Sequence, residues 1–220
     1  MAFSFRVLLD SLPTLLFGAI TTIQLVLLSL AISIVLGGVV CAGRVLGRGL
    51  VRSLSIAYVS LFRTLPETVL IFWLFYCIPL LFHSKPTAMQ SAIVALAIPA
   101  GAYMAEIFRA GIDAIPSGQL EAAKALGLSP LSIVYDIIAP QALRTMAPPI
   151  LGLVTILIKN SALVSVIGVE ELFYHATVQA SQNYRYFELL TAAALLYFAM
   201  ILPLSIAVQW QERRLITRSH

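Results

Sequence analysis

Charge is what this chain has least of. Only 11% of its 220 residues are Asp, Glu, Lys or Arg, against roughly 25% in an ordinary soluble domain. From Ser11 to Gly43, 33 consecutive residues carry no acidic, basic or imidazole side chain. A membrane span needs about 20 such residues, and no water-soluble fold needs a run of this length. Cysteine is also scarce. Cys41 and Cys77 both sit in apolar runs and read as small buried hydrophobes, which excludes a disulfide scaffold. No G-x-x-x-x-G-K-[ST] phosphate loop occurs: Lys85 precedes Pro, Lys124 precedes Ala and Lys159 precedes Asn. ATP binding by this chain is therefore not expected. His83, His175 and His220 are scattered without ligand spacing, so no metal site is predicted, and no nucleophile–base pair suggests a catalytic residue. The net charge of +4 is too small to imply a nucleic-acid partner, because membrane proteins carry excess Lys and Arg in any case.

What fills the chain instead is apolar. Without counting Gly, 60% of residues are hydrophobic, where soluble domains reach about 45–50% with Gly included. The expectation is an all-α integral membrane protein, one domain over residues 1–220. Five charge-poor stretches predict five transmembrane helices: Thr14 to Ala42, Ser55 to Leu81, Thr87 to Ile112, Ala147 to Val169 and Leu189 to Gln211. They are too long and too uniformly apolar for barrel strands of ~10 alternating residues. The first run exceeds a signal-peptide core and lacks a basic leader, so it is expected to remain in the mature chain.

Lys and Arg set the expected orientation. One side receives Arg44, Arg48, Arg52, Arg109, Lys124, Arg144, Arg213, Arg214 and Arg218; the other receives Arg6, Lys85 and Arg185. The positive-inside rule then places the N-terminus out and the C-terminus in the cytoplasm. Three in-span charges stand apart: Arg63, Glu67 and Lys159. Arg63 and Glu67, at i and i+4, are expected to form an intrahelical ion pair near an interface or to line a gate beside the Pro66 break.

The longest polar connection, residues 113–144, has helical composition. Ser117 is an expected N-cap, and Gln119 to Leu126 are good helix formers. Gly127 stands where a left-handed C-terminal residue belongs. Ser129-Pro130 opens a second short helix, and Pro140 is expected to end it. Ala122, Ala123 and Ala125 leave little bulk, and Glu121 offers one carboxylate. On spacing alone the loop reads equally as a docking element or as a helical hairpin on the bilayer surface.

Glu121-Ala122-Ala123, three residues, Gly127, nine residues, Ile137, one residue, then Ala139-Pro140 resembles the EAA loop of membrane subunits of binding-protein-dependent ABC importers; Ala139 replaces the usual Leu. Tyr58 to Pro66, Gly101 to Ile112 and Leu163 to Val169 are similar to segments of permeases for polar amino acids, of the histidine, glutamine, arginine and glutamate type. The resemblance extends from about Gly18 to Arg214. It implies a type I importer permease fold, a multi-pass location in a bacterial inner membrane, and work as a dimer with a second permease subunit. It further implies an ATP-binding cassette subunit holding ATP and Mg, and an extracytoplasmic solute-binding protein. In this reading Glu121, Ala122, Ala123, Gly127 and Pro140 couple to the ATPase subunit. Many relatives carry Asp after the lysine, where this chain has Asn160. Glu106, Asn160 and Ser161 are the expected polar groups on a substrate path, with a Glu106–Arg109 pair as the alternative for Glu106. A secondary transporter, which usually has more helices and internal repeats, and a membrane scaffold are the competing classes.

Overall fold

The structure, a computed structural model, describes residues 5–216, with side chains described up to residue 213. Arg218 and His220, and the side chain of Arg214, lie outside the described residues. Every regular element described is helical. A helix satisfies its own backbone, which is what a chain in lipid requires.

Helix α1 (Phe5–Val45) carries Pro13 inside it. At 41 residues it is roughly 60 Å long, about twice the hydrocarbon thickness. In its second half its packed face carries the small buried residues Ser29, Ser33 and Gly37. They meet α4 (Ala88–Asp113), whose buried face is rich in alanine. The Ser29 hydroxyl donates to the Ile93 carbonyl at 3.3 Å. Small residues let two backbones approach closely where lipid supplies no hydrophobic drive.

The second apolar stretch is bent. Helix α2 (Leu50–Thr64) stops because Leu65 precedes a proline and is pushed to the extended region, φ −70° and ψ 135°. Helix α3 (Glu67–Phe82) leaves at 106° to α2. This break is why the expected Arg63–Glu67 pair does not form. With no common helix, i,i+4 spacing no longer places the two side chains on one face.

Two π turns each lie just ahead of a proline. One, Trp73–Cys77, precedes Pro79; the other, Ile133–Ile138, precedes Pro140. An interior proline removes one backbone bond and crowds the carbonyl four residues back. Widening the preceding turn to i→i+5 bonding accommodates both effects. Pro140 therefore does not end its helix, contrary to the sequence expectation; α6 (Pro130–Ile167) runs through it and finishes in a 3₁₀ stretch over Ser161–Ile167.

Between α4 and α6 lies the short α5 (Ser117–Ala125). Helix α7 (Leu172–Asn183) has no counterpart in the sequence reading, and α8 (Tyr186–Ile216) is the last described helix. One core joins α1, α4 and α6 around Leu25, Leu96, Met104 and Leu157. A second joins α1, α7 and α8 around Leu15, Leu172 and Ala193. Among the described residues, four helices are long and apolar enough to cross a membrane, or five if the bent α2–α3 pair is one span.

Candidate functional site

The α5–α6 hairpin is built by three local rules. Gly127 takes φ +73°, a left-handed conformation that costs other residues about 1–2 kcal/mol. The Leu128 N–H donates to the Ala123 carbonyl at 3.1 Å, and the Gly127 N–H to Lys124 at 3.0 Å. Together these bonds make a Schellman ending of α5. The Ser129 hydroxyl accepts from the Ser132 N–H at 3.1 Å and caps α6. At the start of α5 the cap position belongs to Pro116, with no side-chain capping bond, and Ser117 is already helical; the expected cap is displaced by one residue.

The hairpin is rigid toward the bundle and open on its outer face. Ala123 is buried, while Glu121, Ala122 and Ala125 are exposed. Gln141 donates through Nε2 to Gln119 Oε1 at 2.7 Å and to the Ile137 carbonyl at 3.0 Å, which ties α5 to α6. A groove of about 350 Å³ between them is lined by Ala122, Ala123, Leu126, Leu128, Asp136 and Ile137, with both glutamines. Leu126 in its lining is 80% exposed. Beneath, Ile115, Ala142 and Met146 pack with Ile107, Phe108 and Ile112 of α4 and with Ile150 of α6. Displacing the hairpin must therefore displace both long helices.

The in-span charges are distributed over three groups. Glu106 is the hub of the first. Arg44 Nη1 donates to its Oε1, and Arg109 Nε and Nη2 donate to its Oε2 at 3.0 and 2.9 Å. Arg63 stands 3.8 Å away and lies over the Tyr103 ring, 5.2 Å from its centre. Arg109 also reaches Asp113 at 2.6 Å. The Glu106–Arg109 pair named in the sequence thus exists, within a cluster joining α1, α2 and α4. In the second group Glu67, at the start of α3, accepts from the Asn160 amide on α6. Ser161 beside it is fully buried and donates to the Ile158 carbonyl at 2.8 Å. Lys159 lines a mostly apolar cavity of about 490 Å³ with Phe173, Tyr197 and Phe198.

The third group was not foreseen. Glu171 has no exposed surface. Its Oε1 accepts from the Tyr174 N–H at 2.7 Å, and its Oε2 accepts from the Tyr197 hydroxyl at 2.6 Å and from Thr22 at 3.4 Å. Thr22 in turn accepts from the Leu172 N–H at 3.3 Å. These bonds hold α1, α7 and α8 together. In the sequence Glu171 follows Glu170, and with no helix expected over 172–183 nothing marked it as a cap.

Comparison with known proteins bears on this architecture. The family model described as the binding-protein-dependent transport system inner membrane component matches residues 34–217. The chain is 32% identical over 217 residues to the probable amino-acid ABC transporter permease protein PatM of Vibrio harveyi, covering 98% of this chain and 97% of that protein. It is 32% identical over 215 residues to the arginine transport system permease protein ArtQ of Bacillus subtilis, covering 98% of each. A crystal structure of an amino acid ABC transporter with histidines superposes with a TM-score of 0.87 at 31% identity, over 97% of this chain and all of that one. With its helical bundle, its hairpin and this match over most of its length, the chain belongs to the binding-protein-dependent transport system inner membrane components, as a multi-pass permease subunit of the inner membrane.

Proposed function

We propose that this permease subunit carries a polar amino acid inward across the inner membrane in an ATP-driven importer. The observation that carries the reading is the α5–α6 hairpin. It is a rigid, partly apolar knob with an open groove, locked to α4 and α6 through buried packing. Such a knob suits a partner that moves. The partner is an ATP-binding cassette subunit, which supplies ATP and Mg, and Glu121, Ala122, Ala123, Gly127 and Pro140 couple to it. A second permease subunit, identical or paralogous, and an extracytoplasmic solute-binding protein complete the complex. The excess of Lys and Arg at the hairpin end supports an N-terminus outside and a C-terminus inside.

Along the substrate path, Asn160 and Glu67 offer an amide and a carboxylate where α3 and α6 meet. Glu106 acts in that path through the arginines it holds, and Ser161 through the helix ending it stabilises beside Asn160. Relatives named for arginine transport and for amino-acid transport support an amino-acid cargo.

Reconstitution tests this reading. In proteoliposomes holding the permease, its cassette subunit and its binding protein, labelled glutamine, histidine, arginine or glutamate accumulates only with hydrolysable ATP. Uptake driven by an ion gradient without ATP, or by the permease alone, overturns the proposal.

A further inference from the structure

The Glu106 cluster holds one more positive charge than it neutralises. Three guanidinium groups, Arg44, Arg63 and Arg109, meet two carboxylates, Glu106 and Asp113. Both Glu106 oxygens are already taken, Oε1 by Arg44 and Oε2 by Arg109. Arg63 is the guanidinium left over. At 3.8 Å from Glu106 it is too far for a hydrogen bond, and among the described residues it makes none. It is held in place from one side by the Tyr103 ring.

Arg63 faces a pocket of about 320 Å³ lined by Arg44, Ser60, Tyr103 and Glu106, with Ile56 and Val59 as the apolar wall. The volume is at the lower end of the range of about 300–1,000 Å³ for small-molecule sites. Thr64 also lines it, but its hydroxyl is committed to the Ser60 and Leu61 carbonyls. The Ser60 and Tyr103 hydroxyls have no hydrogen-bond partner among the described residues. The pocket therefore offers a planar fork of N–H donors and two free hydroxyls, with one uncompensated positive charge. A guanidinium fork matches a carboxylate in bidentate geometry. The pocket lies one helix break away from the Glu67–Asn160 contact, because Leu65 and Pro66 separate α2 from α3.

We propose that this pocket is a carboxylate subsite, in which Arg63, assisted by Ser60 and Tyr103, receives the α-carboxylate of the transported amino acid; the inference rests on the amino-acid cargo argued above. A carboxylate leaving water for a low-dielectric layer needs a compensating charge and donors. Binding there neutralises the leftover charge of the cluster without breaking any bond Glu106 makes.

The test uses the assembled complex of permease and cassette subunits, without binding protein, and follows its thermal unfolding against added ligand. L-arginine is compared with agmatine, and L-histidine with histamine, pairs that differ in the carboxylate. The expected result is stabilisation by an amino acid of the panel and none by its decarboxylated partner. In Arg63→Gln the half-saturating concentration rises by about tenfold or more, the loss of a charge-assisted hydrogen bond, and Arg63→Lys lies between. If Arg63→Gln does not assemble, Ser60→Ala and Tyr103→Phe decide, each with a rise of about threefold or more. Unchanged binding in these variants overturns the subsite while wild-type uptake of the amino acid keeps the transport function. Stabilisation by inorganic phosphate or by phosphatidylglycerol nanodiscs, with none by amino acids, also overturns it and assigns the fork to a phosphate group. Absence of ATP-driven uptake of any panel amino acid by the wild type removes the transport reading and the subsite with it.

Discussion

Gly127 occupies a position where the backbone, not the space around it, decides the residue. Its φ is +73°, and a Cβ there meets nothing within 4 Å. Asn tolerates the left-handed region and β-branched residues do not. Gly127→Asn is therefore expected to keep most ATP-driven uptake, while Gly127→Val loses it by disrupting the end of α5. Equal uptake in both variants, measured at matched membrane levels, shows that the turn geometry is dispensable for coupling. At Glu171, by contrast, the partners set the geometry. Tyr197→Phe removes the donor to its Oε2, a bond to a carboxyl worth about 1.5–3 kcal/mol. Because Glu171→Gln disturbs that bond too, the two changes overlap and their double mutant costs less than their sum. Thermal unfolding of the purified protein reads this, and simple additivity refutes the coupling of the two side chains.

At the scale of elements, what was legible in the sequence followed from rules with short reach. The 33-residue charge-free run forced a helix because lipid satisfies no backbone group. Gly127 and Ser129 announced a helix end and a helix start because each acts within three or four residues. What was illegible depends on contacts between elements. The bend after Thr64 needed more than Pro66, because prolines at 13, 99 and 203 leave their helices running. Helix α7 shows only Leu172, Ala176 and Ala180 as its buried stripe, too small a hydrophobic signal to separate from a loop. Arg63 and Glu67 had the right spacing for each other, but their partners, Glu106 and Asn160, are 43 and 93 residues away. The π turn before Pro140 is the element with the sharpest mechanical consequence. Without the proline, Ile133–Ile138 has no reason to stay wide and relaxes toward α geometry. That rotates the hairpin against α6 and separates Gln119 from Gln141, now 2.7 Å apart between their polar atoms. A cysteine pair at positions 119 and 141, bridged by a thiol-reactive cross-linker about as long as the two glutamine side chains, should cross-link in the otherwise wild-type chain and several-fold less in Pro140→Ala, with uptake reduced. Unchanged cross-linking refutes the role of the proline in setting the hairpin.

Across the whole molecule, two carboxylates tie the helices at two separate points on α1, one near its middle and one near its C-terminal end. Thr22, beside Glu171, and Arg44, bound to Glu106, are 22 residues apart along one helix, roughly 33 Å. One knot joins α1 to α7 and α8; the other joins α1 to α2 and α4. Between them α1 packs on α4 through the small residues Ser29, Ser33 and Gly37 together with Leu25 and Val26, and the Ser29 hydroxyl bonds across to α4. Such a frame fastens α1 to different neighbours at two separate points, one of them at the hairpin end. The two knots share no side chain, and sites farther apart than about 10 Å act independently. Glu106→Gln leaves three guanidinium groups with too little counter-charge and is expected to destabilise the complex more than loss of any one arginine, since the remaining charges are left unpaired. Glu171→Gln acts at the other knot. The double variant should lose stability equal to the sum of the singles, within about 0.5 kcal/mol, in thermal unfolding of the purified protein. A shortfall or excess well beyond that means the two knots communicate through α1, and the picture of two independent knots fails.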